Sequence, residues 1–216
     1  MTAETVLRAF EEWIEVSVRA GATAVVHLAP RLSAAELDEL EARRGFHLTE
    51  DARALWGKHN GAVSHDADGA VTFHHLNIAF CFMDLDSAID YGAQVLDVRR
   101  MSGLAETLDG EDAPPPRTRW IALARGQDPH VLDVSNPGVR DTPVVSTSLD
   151  ARITAFPRFT LTEHINAWIE ATRTGYFALT DDGLWGTSFD PAVEIPPPLR
   201  WWPPDWPDPR RRVGTT

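Results

Sequence analysis

The sequence predicts an α+β protein in which a mostly antiparallel sheet packs against several helices. Apolar residues recur at helical spacing through the first sixty positions. Short runs of β-forming residues follow, and tight turn sequences separate them. Because these strands cluster instead of alternating with helices, antiparallel pairing is favoured over a parallel sheet.

Helical spacing of apolar residues predicts the first helix, which Gly21 ends. Its apolar stripe consists of Val6, Phe10, Trp13, Ile14 and Val18. A capping box predicts the start of the second helix, because the Ser33 hydroxyl can accept from the Glu36 amide while the Glu36 carboxylate reaches back. Gly45 suits the left-handed position at the end of this helix.

The third helix is predicted from a Thr49 cap to the Asn60-Gly61 pair, two residues that tolerate positive φ. Leu55 and Trp56 lie on its inward face in this interpretation. We therefore expect the Trp56 side chain to be buried.

Two strands, Val71–Leu76 and Asn77–Met83, are predicted after a turn at 66–69. The pattern then favours a helix from Asp86 to about Arg100. A polar loop over Gly103–Arg117 follows, and we expect it to be mobile.

Three short strands separated by tight turns predict an antiparallel meander. These strands are Trp120–Ala124, His130–Val134 and Pro143–Ser148. A final amphipathic helix runs from a Thr162 cap to Gly175. The elements together predict a single domain over residues 1–175. Its core is expected to include four tryptophans, namely Trp13, Trp56, Trp120 and Trp168.

The composition changes after the last helix. A small hairpin, with Phe177–Leu179 paired to Leu184-Trp185, is predicted before the proline-dense segment Pro196–Pro207. That density of proline predicts extended polyproline II geometry. We expect residues 176–216 to be a Pro/Trp-rich extension that packs on the body. Its tryptophans form either a strap over the body or an arm that binds a partner. They are Trp201, Trp202 and Trp206.

Composition and charge exclude several classes of protein. The 216 residues carry 20 Lys and Arg against 32 Asp and Glu, which gives a formal net charge of -12 and argues against nucleic-acid binding. No apolar run approaches the ~20 residues that span a bilayer, and the acidic N-terminus lacks a signal peptide. One cysteine cannot form an intrachain disulfide. We therefore expect a cytoplasmic monomer with no membrane partner.

Four histidines lie close together in the sequence, with two aspartates among them. They are His59, His65, His74 and His75, with Asp66 and Asp68. No pair has the i, i+4 spacing of a helical metal motif, and adjacent strand residues point to opposite faces. We predict hydrogen-bonded or surface histidines and no metal site. The 66–69 segment is predicted to be a turn because it lacks the later ligands of a calcium loop, and Cys81 is predicted to pack in the core.

Known catalytic motifs are absent from the sequence. It contains no Gly-x-Ser-x-Gly motif, no glycine-rich phosphate loop and no His-Glu-x-x-His pattern. We therefore expect no catalytic residue and no cofactor. A small hydrolase with an unrecognised site remains an alternative.

Several segments together resemble the SUKH superfamily, which contains fungal Knr-type cell-wall assembly regulators and bacterial immunity proteins of toxin systems. The matching segments are the helix with Trp13, Arg43–Leu48, Asp51–Trp56, Lys58–Gly61, Trp120–Ala122, Asp133-Val134 and Phe159–Trp168. The resemblance covers roughly Leu32 to Ala171. It implies a binding module that holds a protein partner, without catalysis.

The resemblance and the acidic charge together predict the function. We expect the protein to bind a bacterial toxin domain that has a basic surface, and to neutralise it by this binding. A regulatory scaffold with an endogenous protein partner is the alternative. Binding residues concentrate in loops and exposed aromatic segments. The candidate partner-binding residues are Asp66, Asp68, Asp109, Glu111, Asp112, Trp201 and Trp202.

Overall fold

A computed structural model of the chain describes ten stretches of residues. They are 3–21, 27–65, 71–73, 75–77, 80–101, 119–124, 129–146, 159–179, 185–188 and 190–200. The helices in these stretches are α1 (Ala3–Arg19), α2 (Ala34–Arg44), α3 (Glu50–Lys58), α4 (Leu85–Met101) and α5 (Leu161–Arg173). A short 3-10 helix covers Pro197–Leu199.

The strands are short and pair antiparallel wherever the structure describes them. They are β1 (Val63–His65), β2 (Val71–Phe73), β3 (His75–Asn77), β4 (Phe80–Cys81), β5 (Trp120–Ala124), β6 (His130–Asp133), β7 (Pro143–Ser146), β8 (Phe159–Thr160), β9 (Phe177–Leu179) and β10 (Trp185–Thr187). One sheet has four strands in the order β5-β6-β7-β8, and the other strands form three hairpins. The predicted α+β class is confirmed.

The predicted meander is confirmed over β5 to β7. Its register places Ile121 opposite Leu132 and Val131 opposite Val145. β8 adds a fourth strand that the sequence pattern did not indicate, because it is only two residues long and runs directly into α5. The predicted hairpin after α5 is also confirmed, since β9 pairs with β10.

The predicted strands over residues 71–83 are divided differently in the structure. β2 pairs backward with β1, whereas β3 pairs forward with β4. Strand partners are chosen by contacts between runs, and a continuous β-forming sequence does not reveal where one pairing ends. The predicted turn at 66–69 lies outside the described residues.

Local capping signals locate α2 correctly. The Ser33 hydroxyl accepts from the Glu36 amide at 3.3 Å, and the Ser33 amide donates to the Glu36 carboxylate at 2.7 Å. Gly45 ends the helix with φ of 72°. The predicted capping box and left-handed end are therefore confirmed.

Of two further predicted caps, Thr49 is the N-cap residue of α3 without a capping side chain, and Thr162 is not the cap of α5. Thr49 precedes α3 but makes no side-chain cap, because its hydroxyl instead contacts the Thr142 hydroxyl. The cap of α5 is Thr160 and not Thr162, since only Thr160 has a glutamate three residues later to complete a capping box. Thr162 is buried within the first turn.

Three further details differ from the predictions: the end of α3, the exposure of Val18 and the conformation of Pro197–Leu199. α3 ends at Lys58, before Asn60, whose side chain accepts from the Leu85 amide at 3.0 Å. Val18 is 49% exposed because it lies in the last turn of α1, beyond half-buried Ile14 at the edge of the stripe. Pro197–Leu199 is a 3-10 helix and not polyproline II, because the Leu199 and Arg200 amides bond back to carbonyls three residues earlier.

Tryptophan rings dominate the main core. Trp13 of α1 lies 5.6 Å from Trp168 of α5, measured between ring centroids. Trp56 is fully buried, and its indole N–H donates to the Met83 carbonyl at 3.1 Å. Trp120 belongs to a smaller cluster between α4 and the four-stranded sheet. All four tryptophans predicted in the core are buried, as expected.

The described part of the C-terminal segment shares this core. Phe177, Ile195 and Leu199 belong to the same buried cluster as Trp13 and Trp168. The predicted division at residue 175 stays a prediction about domains, because side chains on both sides of it contribute to one cluster.

Candidate partner-binding clefts

The seven candidate partner-binding residues all lie outside the described residues. They are Asp66, Asp68, Asp109, Glu111, Asp112, Trp201 and Trp202. The structure describes the chain up to His65 before the first pair and up to Arg200 before the tryptophans. Their predicted role in binding stays a prediction.

The four candidate histidines are not brought together by any described contact. His59 follows α3, with its Nδ1 3.3 Å from the Ala29 carbonyl, whereas His65 ends β1. His75 lies in β3 opposite Cys81 of β4, and His74 is outside the described residues. Within the described stretches, no three His, Cys, Asp or Glu side chains are grouped so that they could hold a metal ion.

An acidic cleft of about 300 Å³ lies between α2 and the start of α4. We call it the α2–α4 cleft. It is lined by Leu32, Glu36, Glu39, Leu40, Arg43, Asn60, Asp84, Leu85 and Asp86. Four carboxylates and one guanidinium therefore surround a floor that contains three leucines. The cleft can receive a cationic group that carries an apolar stem.

Three of these carboxylates lie at the N-termini of helices. Glu36 completes the α2 capping box, and the hydrogen bonds from Ser33 lower the pKa of its carboxyl. Asp84 accepts from the Ser87 amide at 3.0 Å at the start of α4. Asp86 lies in the first turn of the same helix. Negative charge is favourable at both helix N-termini, so these carboxylates stabilise the fold and charge the cleft at once.

Arginine side chains join the two walls of the α2–α4 cleft. Arg44 bonds Asp86 at 2.6 Å and Asp90 at 2.8 Å, and these bonds raise the pKa of its guanidinium. Arg43 reaches Asp86 at 2.7 Å. Three ion pairs therefore connect α2 to α4 across the cleft.

A buried carboxylate also fixes the turn between α2 and α3. Glu41 is almost fully buried and accepts from the Leu48 amide at 3.2 Å and from Arg53 at 2.8 Å. Its other oxygen lies 2.9 Å from Nδ1 of His47. Because Arg53 lies on α3 and Glu41 on α2, this network fixes α2, which carries one wall of the cleft, against α3.

A second polar network ties α3 to the four-stranded sheet. Asp51 of α3 accepts from the Thr142 amide at 2.9 Å and from the Thr142 hydroxyl. That hydroxyl also contacts the hydroxyl of Thr49. All three residues are buried. The sequence analysis missed this network because its members are separated by 91 positions and no local pattern connects them.

Two other clefts border the same helices. One, of about 250 Å³, has an apolar floor flanked by two arginines and two aspartates. Its lining residues are Arg44, Phe46, Ile89, Asp90, Ala93, Leu96, Asp97, Arg119 and Trp120. The other, of about 460 Å³, lies between α2 and α3 and carries two arginines, Arg31 and Arg53, with Glu50. Only the α2–α4 cleft has a strong excess of carboxylates among these three.

The comparisons with known proteins add nothing to this description of the clefts. No protein-family model matches the sequence, and no curated protein matches it. Among the described helices, none combines the length and the apolar character that crossing a membrane requires.

Proposed function

We propose that this chain is a non-catalytic protein-binding domain of the SUKH type that neutralises a bacterial toxin by holding a basic surface of it. The observation that carries the proposal is the α2–α4 cleft, in which four carboxylates face one guanidinium over a floor of leucines. The resemblance described above supplies the class of partner.

Rigid walls support binding at this cleft. Glu41 holds α2 against α3, and the Arg43 and Arg44 ion pairs connect α2 to α4, so the carboxylates are in place before a partner arrives. A site that is ordered in advance loses less entropy when it binds. Glu39 adds an exposed carboxylate to the lining, and no capping role is seen for it.

The chemistry of the lining matches arginine or lysine side chains. Their charged heads can meet the carboxylates, while their aliphatic stems can cover Leu32, which is half-buried; Leu40 and Leu85 are already buried by the protein itself. A net charge of -12 adds long-range attraction for a basic protein. Association should therefore be fast and should slow as salt screens the attraction.

The test is the binding kinetics of the full chain with the product of a neighbouring toxin-like reading frame. Glu39→Lys should lower the association rate about 10-fold or more at low salt, since it reverses a charge inside the cleft. Glu170→Lys on α5 is the matched control, because it changes the net charge equally on an exposed helical surface outside the cleft. It should have a much smaller effect.

Three outcomes would contradict parts of the proposal. Equal effects of the two substitutions would remove the cleft from the binding surface. An association rate that ignores salt would remove electrostatic attraction from the mechanism. Failure to bind any neighbouring gene product would favour the regulatory scaffold with an endogenous partner.

A further inference from the structure

Two histidine rings meet where α5 packs on the four-stranded sheet, and the one on the sheet, His130, is half-buried. His164 of α5 is fully buried, and its ring centroid lies 4.6 Å from that of His130 on β6. The edge of the His164 ring faces Trp168 at 5.2 Å. Neither ring nitrogen of His164 has a hydrogen-bond partner among the described residues. Buried polar atoms are rarely left in this condition, so the pair calls for an explanation.

Among the described residues, the elements around the pair contribute little charge. The strands β5, β7, β8 and β9 and the 3-10 helix carry no titratable side chain. β6 carries one besides His130, which is Asp133 at its opposite end.

Charged groups on the helices around the pair lie at the surface. On α5, Glu163 is occupied in the capping box, Glu170 is exposed, and Arg173 pairs with Glu12 of α1 at 2.6 Å. The other titratable side chains of α1 are exposed, and they are Glu4, Arg8, Glu11, Glu15 and Arg19. His130 is therefore the neighbouring group whose charge acts on His164.

We propose that the His130–His164 pair is an acid-sensitive contact, which fastens α5 to the four-stranded sheet while both rings are neutral and releases the helix when they take up protons. A protonated ring here would bring a cation beside a second imidazole, against the apolar rings of the core. Burying an ion is costly, so the folded state resists protonation of His164, which is fully buried.

The direction of the pH effect follows from the two protonation equilibria. Burial lowers the pKa of His130 to about 4. Burial, and then the charge of His130, lower the pKa of His164 well below its ordinary value. In the unfolded chain both titrate near their usual value of about 6.5. The unfolded state therefore gains protons first, and stability is lost as the pH falls from about 6.5 towards about 4.

The test is chemical denaturation of the full chain between about pH 7.5 and about pH 5, a range in which histidines are the main side chains to titrate. The folding equilibrium constant of the wild type should fall at least about 10-fold across this range. His164→Phe keeps an aromatic ring against Trp168 and should remove roughly half of that dependence. His27→Gln, at an exposed histidine, is the control and should behave like the wild type.

A second measurement covers the case in which His164→Phe does not fold. The imidazole nitrogen resonances of the wild type report the protonation of each of its eight histidines. Two of them should stay neutral in the folded protein down to about pH 5. Titration of all eight above about pH 6, or an unchanged pH dependence in His164→Phe, would overturn the proposal.

Discussion

Asp51 is the residue on which the junction between the helices and the four-stranded sheet depends. It lies at the start of α3 and takes hydrogen bonds from Thr142, at the entrance to β7. Since Asp51 is 1% exposed, no water can replace a partner that is lost. A buried carboxylate with several donors is therefore worth more to the fold than an exposed ion pair.

Removing this carboxylate should destabilise the protein strongly. Asp51→Ala leaves the Thr142 amide and hydroxyl without their acceptor, and we expect a loss of about 2–3 kcal/mol in the free energy of unfolding, measured by urea denaturation. Thr142→Val keeps the amide bond and removes only the hydroxyl, so it should cost about 1 kcal/mol. Equal stability of Asp51→Ala and the wild type would show that the network contributes nothing.

Single residues show where reasoning from the sequence succeeds. Trp56 was placed correctly because helical periodicity assigns a face to each position. His164 was missed because a polar residue within an amphipathic helix is expected outside, and its partner His130 is 34 positions away. The bond between Asp51 and Thr142 was missed because no local signal in the sequence indicates it.

Among the helices and strands, too, some could be predicted from the sequence and others could not. α2 was predicted at both ends because its caps are local patterns of a few residues. The β1 to β4 hairpins were not, because pairing depends on partners that the local sequence does not specify. The α2–α4 cleft also escaped prediction, since its lining joins residues from 32 to 86 that meet only after α2 and α4 pack.

A glycine sets how closely α4 approaches the sheet. Gly92 is buried, and a β-carbon at this position would collide with the backbone of Trp120 and Ile121. Backbone cannot move aside as a flexible side chain can. The contact between α4 and β5 therefore requires glycine, and α4 carries one wall of the α2–α4 cleft.

Replacing Gly92 by alanine, which adds one methyl group, tests this packing. Gly92→Ala should lower the free energy of unfolding by about 1–3 kcal/mol through overpacking, even though alanine favours helices. Gly57→Ala on α3 is the matched control. There a β-carbon would lie 3.7 Å from Leu37, an ordinary contact, so we expect no loss and a gain of up to about 1 kcal/mol. A stable Gly92→Ala protein, by thermal melting, would contradict the close approach.

At the scale of the whole molecule, the two ends of the described chain pack on the same helix, α5. α1 packs on α5, and the 3-10 helix near the C-terminus packs on α5 as well. Leu199 and Ile195 are buried in the cluster that contains Trp13. The C-terminal segment therefore contributes to the stability of the folded body, at least as far as residue 199.

Two truncations separate this contribution from that of the tryptophans beyond it. Ending the chain after Ile195 removes Leu199 from the core and should cost about 2–4 kcal/mol, seen as a lower melting temperature. Ending it after Arg200 keeps Leu199 and removes Trp201, Trp202 and Trp206 with the other final residues. If these tryptophans form a strap, this shorter deletion lowers the melting temperature even though Leu199 is kept. If they form an arm, this shorter deletion leaves stability unchanged and weakens partner binding.

The pairing of α1 with α5 also has a consequence for how the protein is made. Translation proceeds at about 5–20 residues per second, so Trp13 leaves the ribosome roughly 8–30 s before Trp168, its partner in the core. Phe10 can meet Phe82 and the ring of His59 sooner. For the rest of that interval one side of the nascent first helix stays without its native cover. Chaperones that bind exposed apolar helices would find their target there, in a chain whose folded form buries Phe10 and Trp13.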